Sequence, residues 1–325
     1  MSPTVWATNT PTALKAYGGE LVQLAKERPE IVCIGADLTG PTETDMFRDS
    51  IPERFFNIGM AEANAIGVAA GMARAGEIPY VNTFAVFASR RAFDQMAMQV
   101  AYPRTNVKIA GFMPGLTTPG GVTHQAIEDL ALMRALPNVT VVEPADANQI
   151  RAAVRCLADH DGPVYMRLKR GEVPVMASAA DQAFQIGRAY LVREGTDAVI
   201  LACGLMVTLA LDAAAELARE GRSVAVVNVS TIKPLDVELV AEVAARTGHV
   251  VTAENHSIIG GLGSAVAEAL MEAGVRCRFT RVGIGDTFAE GASAAYLFQK
   301  YGLSSQAIAD ACRRIQDGTT AQAGL

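Results

Sequence analysis

Little in this sequence of 325 residues invites cross-linking, metal binding or membrane insertion. Five cysteines, Cys33, Cys156, Cys203, Cys277 and Cys312, lie far apart with no C-x-x-C pair. Their odd number and spacing read as buried thiols in a reducing compartment, and argue against a disulfide framework or a zinc site. No uninterrupted apolar run approaches the roughly 18 residues of a membrane span, and the N-terminus shows no basic segment followed by an apolar core, so a cytoplasmic protein is expected. An excess of positive charge is also missing: 28 Lys and Arg against 34 Asp and Glu give a net charge of -6. Such a chain exerts no long-range pull on nucleic acid or an anionic membrane, and any phosphate must be held by a few placed cations. Charged residues are only 19 % and hydrophobic residues 50 %. That balance excludes a disordered chain and suits buried strands in a protein that covers part of its surface with other subunits.

The length suits two domains, each with its own core. From Leu14 to about Lys169, short β-branched runs alternate with stretches of helical period, the sequence form of a doubly wound α/β domain with helices on both faces of a parallel sheet. Strands are expected at Ile31–Ile34, Phe55–Ile58, Tyr80–Thr83, Val107–Gly111, Thr140–Val142 and Val164–Arg167. The small, polar stretch MASAADQ marks a linker, which places one domain over residues 10–175, the linker over 176–190 and a second, smaller α/β domain over 191–320. There the expected strands are Ala198–Ala202, Ser223–Val229 and Val250–Ala253. Helices are expected at Met206–Glu220, Val237–Ala245, Ser264–Ala273 and Ser304–Ile315.

Four stretches carry groups able to do chemistry. In RFFNIGMAEANAIGVAAGMARAG, residues 54–76, a strand meets a turn at Gly59 and then a helix with Glu62 in its first turn. The helix is nearly all Ala and Gly, which lets another backbone approach closely, and a carboxylate embedded there is costly unless paired or protonated. Glu62 is therefore either a functional acid or simply an acid favoured by the helix dipole. In NTFAVFASRRAFDQ, residues 82–95, Phe84 and Phe87 stand three apart at a strand end, placed either to sandwich a flat heterocycle or to fill the core. Arg90 and Arg91 follow and can face an anion or a carboxylate such as Asp94. The Gly- and Pro-rich stretch 114–138 is expected to bring His124 to the start of a helix, beyond the C-terminal strand ends where α/β proteins hold ligands, either to donate to a substrate hydroxyl or carbonyl or simply as a surface histidine. In MRLKRGE, residues 166–172, three cations close a strand, and Arg170 at its end can clamp a phosphate or form a solvated basic edge.

The order of these motifs resembles the pyrimidine-binding and C-terminal domains of the transketolase family of thiamine diphosphate enzymes. The matching segments are GADLTGPTE at 35–43, RFFNIGMAE at 54–62, TFAVF at 83–87, GGVTHQAIEDLALMRALPN at 120–138, DGPVYMRLKRG at 161–171, STIKPLD at 230–236 and AENHSIIGGLGSAVAE at 253–268, so the resemblance covers nearly the whole chain. It implies that Glu62 hydrogen-bonds N1′ of the cofactor's aminopyrimidine, that Phe84 and Phe87 pack on that ring, and that Asp37 is an acid near the cofactor at a subunit interface. Arg90 is expected among the cofactor-binding residues. By the same resemblance His124 binds substrate, as one of two catalytic residues with Glu62, and Arg170, with Arg91, holds the sugar phosphate. The implied reaction moves a two-carbon ketol unit from a ketose phosphate to an aldose.

The sequence departs from the pattern at Gly120, where the family's longer members carry an acid that contacts a substrate hydroxyl, and near Leu14, where they carry a phosphate-binding arginine. Nothing in the chain resembles the family's diphosphate- and metal-binding domain. The resemblance therefore implies a split enzyme, with Mg2+ or another divalent ion and the diphosphate held by an N-terminal partner subunit in an α2β2 assembly, and with copies of this chain also in contact. Rival expectations are the β subunit of a 2-oxoacid dehydrogenase, a deoxyxylulose-phosphate synthase-like enzyme, and a non-catalytic subunit on the same fold.

Overall fold

The β-branched runs form strands and the stretches of helical period form the layers that cover them. The structure, a computed structural model, describes Val5, residues 10–176 and residues 184–318. The first part of the chain contains β1 (Thr12–Ala13), α1 (Ala16–Glu27), β2 (Ile31–Gly35), α2 (Asp45–Ser50), β3 (Phe55–Asn57), α3 (Glu62–Arg74) and β4 (Ile78–Phe84). After β4 the chain coils through two π-helical turns, Phe87–Arg91 and Met96–Ala101, on either side of α4 (Phe93–Gln95). There follow β5 (Lys108–Phe112), α5 (Asp129–Ala135), β6 (Thr140–Val142), α6 (Ala147–Asp159), β7 (Val164–Leu168) and β8 (Val173–Pro174). The second part contains β9 (Tyr190–Arg193), β10 (Ala198–Ala202), α7 (Met206–Arg219), β11 (Val224–Asn228), β12 (Thr231–Lys233), α8 (Val237–Thr247), β13 (His249–Ser257), α9 (Leu262–Glu272), β14 (Arg278–Ile284), α10 (Ala294–Lys300) and α11 (Ser305–Asp317).

Two main sheets result, ordered β12-β6-β7-β5-β4-β2-β3 and β14-β13-β10-β11-β9. All neighbours are parallel except the two edge pairs, β12 with β6 and β11 with β9. Strands covered on both faces read as continuous apolar runs, and β2, β4, β5, β7, β10 and β11 are buried along their whole length. The expected α/β class is what the structure shows. Most of the linker stretch MASAADQ falls at 177–183, outside the described residues.

The STIKPLD stretch behaves differently from its neighbours: β12 leaves the second sheet and pairs with β6 of the first, where Lys233 Nζ also donates to the Arg134 carbonyl. A short strand whose partner lies about ninety residues away has no local signature. The edge strands β9 and β14, also absent from the sequence-based expectation, close the second sheet on either side.

Between the two sheets sits a buried polar cluster. Arg167, on β7, is fully buried and spends its whole guanidinium on protein acceptors: Nε and Nη2 on the two Asp129 oxygens at 2.8 and 2.9 Å, and Nη1 on both Glu143 oxygens at 3.1 Å. Nη2 also reaches the carbonyls of Ala126 and Asn255, the latter in the second sheet's β13. Tyr165, two residues earlier on the same face of the strand, donates to Asp129 at 2.7 Å. From the other side Cys203 donates to Glu143, and Asn255 spans Leu116 N–H and the Pro114 carbonyl. Burial pushes the Asp129 carboxyl up, but Arg167 outweighs it and holds the group below the usual range.

Candidate active site

The register of β2, β3 and β4 sets Gly35 opposite both Asn57 and Asn82, so β2 and β3 end together, β4 runs two residues further to Phe84, and their following loops share one edge of the sheet. Asn57 ties two of those loops together, its Oδ1 accepting from the backbone N–H of Asp37 and of Gly59. Gly59 turns with φ 73° and α3 begins at Glu62. The helix has no side-chain cap at its N-terminus, and the Glu62 carboxylate turns instead toward a cavity of ≈260 Å³. Glu62 is at the same time the acid of the helix's first turn, where the helix dipole favours a negative charge.

That cavity is lined by Ala36, Leu38, Met60, Glu62, Phe84, Phe87, Arg91, Thr123 and His124. Glu62 is 3 % exposed. Phe84, at the end of β4, and Phe87, at the start of the first π-helical turn, stack with centroids 5.8 Å apart and planes inclined by 20°. The His124 ring meets Phe87 edge-on at 5.4 Å and holds Thr123 Oγ1 at 2.9 Å through Nδ1. Arg91 lies over Phe87, its Cζ 4.1 Å from the ring centroid, with Nη1 3.3 Å from both Glu62 oxygens. Asp94, the alternative partner foreseen for it, is not used.

The remaining expected residues are placed less centrally. His124 does not open a helix: α5 begins five residues later, at Asp129, and the intervening loop is pinned by Arg90. Arg90 donates to the Val122 and Gln125 carbonyls at 3.1 and 3.2 Å and forks onto Glu128, so its charge serves the loop and lies outside the Glu62 cavity. Asp37 is exposed, with a left-handed φ of 59°, on the loop after β2 at the rim. Arg170 is exposed on the turn after β7 and does not line the cavity. Of the three cations in MRLKRGE, Arg167 faces inward to the cluster between the sheets. Lys15, beside Leu14, is paired with Asp45 at 2.9 Å. At Gly120 an added Cβ would stand 2.9 Å from His124 Cβ and Cγ, so this loop conformation has no room for an acid there. A second, wider groove of ≈590 Å³ adjoins the site at Thr123 and runs between the domains past Ile127, Ile259 and Phe288.

The site fits the pyrimidine end of thiamine diphosphate on the evidence of Arg91 itself. The planar guanidinium lies over Phe87 and meets both oxygens of a nearly buried glutamate, so an aminopyrimidine ring has an aromatic face to rest on and a carboxyl group to share a proton with its ring nitrogen. Among the described residues no group of three or more His, Cys, Asp or Glu is placed to hold a metal ion, and no helix is long and apolar enough to cross a membrane.

Fold and site define a class, and comparison with known proteins agrees. The family model of the transketolase pyrimidine binding domain matches residues 9–176 and that of the transketolase C-terminal domain residues 187–308; the chain belongs to the transketolase family. Its similarities are then more particular. It is 46 % identical over 304 residues, 93 % of each chain, to the 6-deoxy-6-sulfo-D-fructose transketolase subunit SqwH of Clostridium sp. (strain MSTE9). It is 41 % identical over 297 residues, 91 % of this chain and 93 % of the other, to a putative transketolase C-terminal section of Methanocaldococcus jannaschii. Among solved structures it is 48 % identical, with a TM-score of 0.87 over 93 % of this chain and 97 % of the other, to a split gene transketolase described as an inactive beta4 tetramer. The chain is a subunit of the split kind of transketolase-family enzyme.

Proposed function

We propose that this chain contributes the pyrimidine half of a thiamine diphosphate site, that an N-terminal partner subunit contributes the diphosphate and Mg2+ half, and that the complex transfers a two-carbon ketol unit from a ketose phosphate to an aldose. The observation that carries the reading is the Glu62 carboxylate at 3 % exposure, facing a cavity walled by Phe84 and Phe87. Thiamine diphosphate, when bound, supplies the carbanion chemistry that breaks and rejoins carbon–carbon bonds beside a carbonyl. Glu62 would hold a proton shared with N1′ of the pyrimidine, and the two Phe rings would fix that ring's plane. His124, at the cavity mouth, would donate to a substrate hydroxyl or carbonyl. Arg170 and Arg91 are the cations offered to the substrate's anionic tail, and Asp37 faces the rim where a partner would close the site.

Two further observations support an incomplete site. The solved relative that is inactive is an assembly of the β chain alone, as its description states. On α3, Gly71 faces open space, and Met60 just before the helix and Met98 are exposed, which suits a helix that packs against another copy of the chain within an α2β2 complex. The substrate is set less narrowly than the chemistry. One relative is named for a sulfonated sugar, and a sulfonate and a phosphate make the same demand on Arg170.

In the complex reconstituted with its partner, Glu62→Ala should lower turnover about 10²–10⁴-fold while assembly, read by light scattering, is unchanged. Near-normal turnover in that variant would sink the catalytic assignment. Turnover by this chain alone, given thiamine diphosphate and Mg2+, would sink the divided site.

A further inference from the structure

We infer that Arg91 is a built-in stand-in for the cofactor's pyrimidine: in the free chain it covers Phe87 and ties the Glu62 carboxylate, and it must leave when the cofactor enters. The inference rests on the reading of the site given above and adds a step to its assembly.

The geometry is that of a ligand and not of a structural ion pair. The Arg91 guanidinium is planar and cationic, lies 4.1 Å above the Phe87 centroid, and presents Nη1 to both Glu62 oxygens. A planar nitrogen heterocycle that stacks on the same ring and shares a proton with the same carboxyl group needs the same space. Both cannot be there together. The contact is also built to be given up: each N–O distance is 3.3 Å, longer than the 2.7–2.9 Å of a well-made charge-assisted bond, and the Arg91 side chain is half exposed. Its neighbour Arg90 shows the alternative, being held by Glu128 and two loop carbonyls. What Arg91 does for the free chain follows from burial. Without a partner, a carboxylate as enclosed as Glu62 is left uncompensated beside two aromatic rings, and the cation relieves that cost until the cofactor arrives.

Two measurements test this. The first needs no cofactor: in the isolated full chain, Arg91→Ala should lower the urea midpoint, and the same substitution made on a Glu62→Gln background should not. Equal effects on both backgrounds would show that Arg91 does not serve Glu62, and would overturn the inference. The second is calorimetric binding of thiamine diphosphate, with Mg2+, to the complex with the diphosphate-binding subunit. Removing a half-exposed competitor should tighten binding about fivefold. Unchanged or weaker binding by Arg91→Ala would overturn the stand-in and make Arg91 a bystander or a ligand. No binding by the wild-type complex would instead overturn the reading of the site, and this inference with it.

Discussion

Two arginine–carboxylate pairs in the same domain have opposite designs. Arg167 with Asp129 and Glu143 is closed on every side: each partner is buried, distances run from 2.8 to 3.1 Å, and carbonyls from the loop before α5 and from β13 of the second sheet complete the shell. Arg91 with Glu62 is closed on one side only, since the acid is buried while the base is half exposed at 3.3 Å. The comparison teaches what a buried charge needs according to its task. A pair that holds two domains in register has its hydrogen-bonding capacity filled by protein, because any vacancy there costs desolvation energy with no return. On the proposed reading of Glu62, a carboxylate kept for a ligand must retain an exchangeable partner.

Removing one arginine of each kind breaks the comparison most directly. Arg167→Met should cost about 3–5 kcal/mol in urea denaturation, because Asp129 and Glu143 are then buried without a counter-charge. Arg91→Ala should cost less than about 1 kcal/mol, since water can reach the contact. Similar losses would mean that both pairs are structural and that the open design has been misread.

The glycines offer a sharper and smaller test of the same contrast. At Gly261 a Cβ would lie 1.9 Å from Glu254 Oε2, because that carboxylate comes in to accept from the N–H groups of Leu262 and Gly263 at the start of α9. Gly71, on α3, has nothing within 4 Å. Within one chain Gly71→Leu should therefore be neutral or stabilising by up to about 1 kcal/mol, as a helix former replaces glycine. If α3 is a contact between copies of the chain, light scattering should show the same variant dissociated. An assembly indifferent to Gly71→Leu would place the contact elsewhere.

The parts of this molecule legible in its sequence are those encoded locally. The buried strands announce themselves as apolar runs, and Glu62 with Phe84 and Phe87 stands out because a strand, a turn and a helix follow within a few residues. The illegible parts depend on distant partners. The pairing of β12 with β6 joins segments about ninety residues apart, and Arg91 meets Glu62 across 29 positions after a π-helical turn that no spacing rule anticipates. His124 was expected to open a helix, but Arg90 holds the Val122 and Gln125 carbonyls and keeps that stretch a loop as far as Glu128. One clue was available. Tyr165 and Arg167 alternate on one face of an otherwise apolar strand, and an arginine there demands a buried acid, which is Asp129.

The closed region also makes a prediction about pH, with two groups of opposite sign. Burial pushes the Glu254 carboxyl up to about 7 from its ordinary 4.5, against the pull of the Gly263 and Leu262 N–H groups and Arg167. Burial, with the charge of Arg167, holds the His256 imidazole down at about 4 from 6.5, against the pull of Asp129. Between pH 4.5 and 7 the folded chain keeps a proton on Glu254 that the unfolded chain has lost, so this group makes stability fall as pH rises. Between pH 4 and 6.5 the unfolded chain holds a proton on His256 that the folded chain refuses, so this group makes stability rise with pH. The two slopes oppose each other over most of the window, so each is read as a difference from the wild-type profile. Relative to wild type, the stability of Glu254→Gln should climb with pH across this range and that of His256→Asn should decline, both read from denaturation midpoints. Parallel profiles for all three proteins would show that these groups titrate alike in both states, and that the cluster between the sheets is wetter than its hydrogen bonds imply.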